Sequence, residues 1–201
     1  MSHSDLLLPM VGLVAVQFLL YAAGWALAAW LLPRRQKAAA LHWAGFMLLL
    51  GLGFWLASHR GEPRQWAAYA GSDIAFLSGY LLLWRGLEAF LDVPARWREQ
   101  LAWGVLLVAL FAPLGADPAH ASLRTFLTYG LGALLYARLL VAVFRPMTVE
   151  FPGGVAYAIA LPAFAMVLLL GARAVQQAAA WQLPLEMHVG SGGNIDLLYG
   201  Y

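Results

Sequence analysis

Residues 6–37 read LLLPMVGLVAVQFLLYAAGWALAAWLLPRRQK: a long run without charge, then Arg34, Arg35 and Lys37 crowded into one turn. A bilayer core of about 30 Å needs roughly 20 helical residues to cross it, and the uncharged run exceeds that. In lipid every backbone group has to be satisfied inside the membrane, so such a run is a helix or part of a closed barrel. No ten-residue alternation of barrel strands occurs in the chain. The first segment therefore reads as a membrane helix that ends in a basic turn.

The pattern repeats along the chain. Apolar segments at 6–32, 38–58, 66–91, 99–114, 122–144 and 155–175 alternate with short junctions rich in Pro, Gly and charge, which is ordinary helix-stop chemistry. The expected fold is all-α, a polytopic transmembrane bundle of six spanning helices in one integral membrane domain, residues 1–201. The fourth segment is short and carries Pro113 near its end, and Pro162 inside the sixth is expected to kink it. Residues 176–194 form a polar, Gly-rich loop, and 195–201 begin another apolar run. Seven residues cannot span a bilayer. They are either a short tail packed on the surface or, the favoured expectation, the start of a seventh helix in a longer protein.

Charge sets the expected orientation. Arg34, Arg35, Lys37, Arg85, Arg96, Arg98, Arg138 and Arg145 lie in or near the first, third and fifth connections, against Arg60, Arg64, Arg124 and Arg173 on the other side. Short loops rich in Lys and Arg stay cytoplasmic, so the N-terminus is expected outside. The sequence is 63% hydrophobic and 11% charged, too little polar surface to coat a soluble globule. The net charge of +2 is explained by this asymmetry and by anionic lipid headgroups; the lipid bilayer is the expected partner and nucleic acid is not. With no cysteine in the chain, disulfides, thiolate metal sites and a cysteine nucleophile are excluded. The first ten residues lack the basic region of a signal peptide. Trp30, Trp43, Trp84 and Trp97 are expected at the inner interface, and Trp55, Trp66 and Trp181 at the outer one.

Asp73 is the foremost candidate for chemistry. It follows Trp66 by seven residues, so it lies about 10 Å below the outer interface at 1.5 Å per residue. Ionisable groups in membrane helices are costly and face a partner or a wet cavity. Asp73 is either a proton- or ligand-responsive site or a structural group paired with Arg173 or bonded to Ser72 and Ser78. Arg85 and Glu88 share a face of the third segment, with Arg138 at comparable depth; they form an inner polar cluster that fixes register or relays a signal. Gln17 is expected to bond across helices. His59, His120 and His188 fall on the outer side near Glu62, Asp117, Glu186 and Met187, but none is spaced as a helical metal pair, and solvated loop histidines are the plainer reading. GxSxG, HExxH, P-loop and dinucleotide motifs are absent. No catalytic residue and no cofactor is assigned, and the chain alone does not read as an enzyme.

Several stretches resemble a known module. They are Trp30-Leu31-Leu32-Pro33-Arg34-Arg35, His42-Trp43-Ala44-Gly45-Phe46, the run from Gly51 to Ser58-His59-Arg60-Gly61, and Leu77-Ser78-Gly79-Tyr80 on through Trp84-Arg85-Gly86-Leu87-Glu88-Ala89-Phe90. Together they are similar to the N-terminal multi-helix membrane module that precedes GGDEF diguanylate cyclase domains in many bacteria. The likeness covers residues 6–201, with Asn194-Ile195-Asp196-Leu197-Leu198 where that module's last helix begins. It implies a seven-helix sensor of the bacterial inner membrane, a homodimer, that responds to a small-molecule ligand or a membrane state and feeds a cytoplasmic cyclase. The chain contains no GGDEF sequence, so no catalytic residue of the family carries over. Two other classes stay open: a small transporter or channel subunit with Asp73 and Gln17 lining a path, and a structural or cofactor-binding subunit of a membrane complex.

Overall fold

Each apolar segment becomes a helix. The computed structural model describes residues 3–61 and 65–180, and among them there are six α-helices and no strand: α1 His3–Leu31, α2 Arg34–Ala57, α3 Ser72–Phe90, α4 Trp97–Phe111, α5 Ala121–Glu150 and α6 Val155–Ala180. A single π-turn, Ala67–Gly71, leads into α3, and a 3₁₀ turn, Pro118–His120, leads into α5. Residues 62–64 and 181–201, with Arg64, Trp181, His188 and the apolar run at 195–201, lie outside the described residues.

Local chemistry explains the breaks. Pro33 adopts φ −56 and ψ 154, extended backbone that ends α1 and starts α2. Helix α3 closes where Asp92 takes φ 56 and the Val93 amide donates to the Glu88 carbonyl, a Schellman-type end. Gly115, at φ 54, turns the chain after α4, and Asp117 caps the 3₁₀ turn by accepting from the Ala119 amide at 2.9 Å.

Helix α3 is the hub, packed against α2, α4 and α5, while α1 leans on α2 and α6 leans on α5. One apolar core joins Trp84, Leu139, Val143 and Met147 to Ala156 and Ala160. A second joins Leu77, Leu107, Phe111, Leu131 and Leu135. Inside lipid, helices associate through close packing rather than escape from water, so small residues matter. A Cβ at Gly53 would meet the Phe76 ring at 2.7 Å, and one at Gly45 would meet Leu82 at 2.9 Å.

Four helical stretches are long and apolar enough to cross a membrane: Met10–Leu31, Gln36–Ala57, Pro118–Glu150 and Val155–Ala180. Their outward faces carry large apolar side chains, with Leu13, Leu20, Leu27 and Leu161 all exposed, far more than a water-soluble surface tolerates. The chain is a membrane protein. Six spans are not supported: α4 has 15 residues, about 22 Å of rise, and α3 carries Asp73, Arg85 and Glu88 within its 19 residues. Two boundaries also differ. The expected connection after residue 144 is helical to Glu150, passing through Pro146, because buried Ala142, Val143 and Met147 hold that turn in the core and a Pro removes one backbone bond. Helix α6 continues through Pro162 to Ala180, shortening the polar stretch expected from 176. Trp84 is 1% exposed rather than interfacial, while Trp30, Trp55, Trp66 and Trp97 are exposed.

Gly86 lies against the Trp43 indole, and any Cβ there would collide with its Nε1. Gly86→Ala is therefore expected to force α2 and α3 apart at a cost of about 1–3 kcal/mol. Thermal unfolding in detergent, followed by circular dichroism, checks this; Gly12→Ala, where a Cβ meets nothing within 4 Å, should leave the midpoint unchanged.

Candidate functional site

The π-turn builds the site. The Ser72 amide reaches back to the Ala67 carbonyl, one residue further than an α-helix allows, so the Ala68 carbonyl is turned aside and accepts from Arg60 Nε at 2.9 Å. Arg60 comes from the turn that follows α2. Its NH2 group donates to Ser72 Oγ at 2.6 Å and to Asp73 Oδ1 at 3.1 Å. Arg124, in the first turns of α5, approaches the other carboxylate oxygen, Nε to Oδ2 at 3.6 Å, and donates from NH1 to the Gly115 carbonyl at 2.9 Å. Thr128 faces the same carboxylate.

All of these groups are removed from solvent. The Arg60 side chain is 5% exposed, and those of Arg124 and Asp73 are 1%. Tyr69, itself buried, takes both cations on its ring, with Arg60 Cζ at 5.4 Å and Arg124 Cζ at 4.9 Å from the centroid. Burying ions costs several kcal/mol each unless geometry and extra hydrogen bonds offset it. Here a carboxylate, two carbonyls, a hydroxyl and an aromatic face supply that compensation. The cluster ties four pieces of chain together: the turn after α2, the start of α3, the α4–α5 connection and α5.

A second polar cluster occupies the other end of α3, among the basic residues. Glu88 is buried, and its Oε2 accepts from Gln100 Nε2 at 3.0 Å, with Arg85 NH1 and the Arg96 amide at 3.4 Å. Its Oε1 meets no donor among the described residues. Arg138 of α5 forms a two-pronged pair with Glu99 of α4, at 2.6 and 2.8 Å, and stacks over Trp84 with Cζ 5.4 Å from the ring centroid. The first turn of α4 thus receives α3 through Gln100 and α5 through Glu99.

Asp73 stands where the sequence reading put the site, but its expected partner does not. Arg173 donates to Gln176 on its own helix at 3.0 Å, because α6 packs on the face of α5 away from α3. Arg138 does not join Arg85 and Glu88; Glu99 takes it. Gln17 bonds Tyr21 on the same helix at 2.8 Å, so it makes no bond between helices. His59 is held by the Trp55 carbonyl at 2.7 Å, and His120 sits 4.0 Å from Asp117. Among the described residues no three His, Asp or Glu side chains converge as a metal would require; His188 lies outside them. The residues that sequence reasoning missed are Arg60, Arg124, Tyr69, Glu99 and Gln100. Arg60 and Arg124 had one signal, the depth they share with Asp73.

The arrangement is a clamp rather than a reaction centre. Ser72 Oγ is within donating distance of the Ala68 and Tyr69 carbonyls, and no base addresses it. No protein-family model, curated protein or solved structure matches the chain.

Asp73→Ala takes away the carboxylate between two buried guanidiniums and is expected to cost about 3–5 kcal/mol. Glu99→Gln breaks a pair whose side chains are 32% and 27% exposed and should cost about 1 kcal/mol or less. Chemical unfolding of the two purified variants tests this ranking, and a reversed order would contradict it.

Proposed function

We propose that this chain is the membrane-embedded input module of a signalling protein, its helices responding to a small ligand or a membrane state and passing a displacement inward. The observation that carries the reading is the pair of buried polar clusters at opposite ends of α3. Asp73 and Glu88 are 15 residues apart, about 22 Å along one helix. A rigid helix with a charged clamp at each end has few ways to move: a change at one end is carried to the other as a shift or rotation. Glu88, with one carboxylate oxygen unmet, is the group whose surroundings such a shift alters most. The mechanism is a population shift between two packings, and a stimulus acts only through its differential affinity for them.

In this reading α3 and α4 also lie within the membrane, making six spans with the N-terminus outside. Supporting it, α3 is enclosed by α2 and α5, both of spanning length, and its charges are met by protein groups rather than lipid. The π-turn and α3 together run from Ala67 to Phe90, length enough to cross. The basic residues then face the cytoplasm, and the setting is a bacterial inner membrane. The likeness to the module ahead of GGDEF domains supplies the expected output, synthesis of cyclic di-GMP by a following domain.

Orientation is testable because the chain has no cysteine of its own. Single substitutions Lys37→Cys and Arg98→Cys are expected to react with an impermeant maleimide only after the cells are opened, and Asp117→Cys in intact cells. The opposite pattern inverts the topology. For output, cyclic di-GMP made by the full gene product is expected to become unresponsive in Asp73→Asn, with the protein still inserted and folded. Unaltered regulation removes Asp73 from the pathway.

A further inference from the structure

Two adjoining cavities, of about 270 and 400 Å³, share Phe46, Leu83, Leu87, Met147 and Ile159 and together form one groove. Helix α2 makes one wall and α6 the other, with α3 and α5 as the floor. The residues at one end are Trp25, Trp43, Phe90 and Phe151, from the end of α1, the early part of α2, the end of α3 and the residue after α5. The other end reaches Tyr136 and Met166. From Phe151 to Tyr136 along α5 is about 22 Å at 1.5 Å per residue, somewhat more than the roughly 15 Å that one leaflet contributes to the hydrocarbon core. The aromatic end is braced internally, with Trp25 packed edge-on to Trp43 at 5.0 Å and Trp43 tilted on Phe90 at 5.6 Å. Its size falls in the range of ordinary ligand sites.

The charge at that end is lopsided. Eight Lys and Arg residues gather there against Glu88, Asp92, Glu99 and Glu150. Two of those carboxylates are already taken, Glu88 by Arg85 and Glu99 by Arg138. Arg34 and Lys37 are exposed in the first turn of α2, whose positive dipole end adds to their field. Trp43 follows Lys37 by six residues, about 9 Å along the same helix. An anionic headgroup at Arg34 and Lys37 therefore has the groove within reach of its chains.

We infer that this groove is a binding site for an anionic phospholipid, with its phosphate at Arg34 and Lys37 and one acyl chain lying between α2 and α6 over Leu83 and Leu87. The site rests on the membrane setting of the reading above but not on the output; a regulation-dead Asp73→Asn leaves lipid binding intact, and loss of lipid binding leaves the Asp73 test unaffected. Basic clusters beside grooves between membrane helices recognise such headgroups.

The test uses the full chain in nanodiscs of phosphatidylcholine doped with phosphatidylglycerol that carries a diazirine in its acyl chain. After illumination, label is expected to concentrate on groove residues such as Met147, Ile159 and Met166. Added phosphatidylglycerol should compete, and the same fraction of phosphatidylcholine should not. Replacing Arg34→Gln and Lys37→Gln is expected to weaken competition by roughly five-fold for each charge removed. Ala163→Trp, which fills the groove, should abolish the labelling; the competition measured on the unaltered protein needs no variant and stands if that one misfolds. Label spread evenly over the outward faces, at Leu13, Leu20 and Leu168, overturns the inference, as does equal competition by the zwitterionic lipid.

Discussion

A carboxylate held between two guanidiniums is the constraint from which much of this bundle follows. Asp73 cannot stay ionised in an apolar surrounding unless cations come to it, and Arg60 and Arg124 cannot be buried unless an anion and carbonyls receive them. The turn after α2 therefore has to fold over the start of α3, and α5 has to begin beside it. The π-turn belongs to the same requirement. An ordinary helix would direct the Ala68 carbonyl along its own axis; the wider turn frees it to accept from Arg60. Such bulges interrupt helices at a cost, and they are found mainly where an altered side-chain or carbonyl direction is put to use.

The same economy explains why α3 fails a test of apolar length yet sits at the centre of the bundle. Length and hydropathy describe a helix that lipid surrounds, and α1 and α6 are of that kind, with outward faces of Leu and Val. A helix enclosed by others answers to its neighbours instead. Its polar groups need partners on α2, α4 and α5, and its small residues need to fit against side chains such as Phe46 and Trp43. Charge and glycine in α3 thus mark an interior position.

This distinction sets how much could be read from the sequence. Apolar runs and Pro-, Gly- and charge-rich junctions located all six helices to within a few residues, since lipid and helix-stop chemistry act locally. Depth was legible too: Asp73 and Glu88 were placed near opposite ends of one helix from residue spacing alone. What spacing does not carry is azimuth. Arg173 and Arg60 both lie at about the depth of Asp73, and nothing in the sequence tells which of them faces it; that depends on α6 packing behind α5. Arg138 went to Glu99 for the same reason. The continuation of α5 through Pro146 escaped notice because the rule that Pro stops helices assumes no neighbour to stabilise the turn, and here Met147 is packed in the core.

The floor of the groove connects these features. Leu83 and Leu87 lie on α3 between Asp73 and Glu88, and Met147 and Tyr136 lie on α5 beyond Arg124 and flanking Arg138. A chain bound there would press on the two helices that both polar clusters join. Closely packed interiors yield by switching between arrangements rather than by gradual deformation, and each clamp resists sliding of α3 while permitting rotation about its own ion pair. On the proposed reading, lipid occupancy is then a natural second input: it biases α3 from its middle, where neither cluster holds it, and the Gln100 and Glu99 contacts of α4 register the result at the basic end.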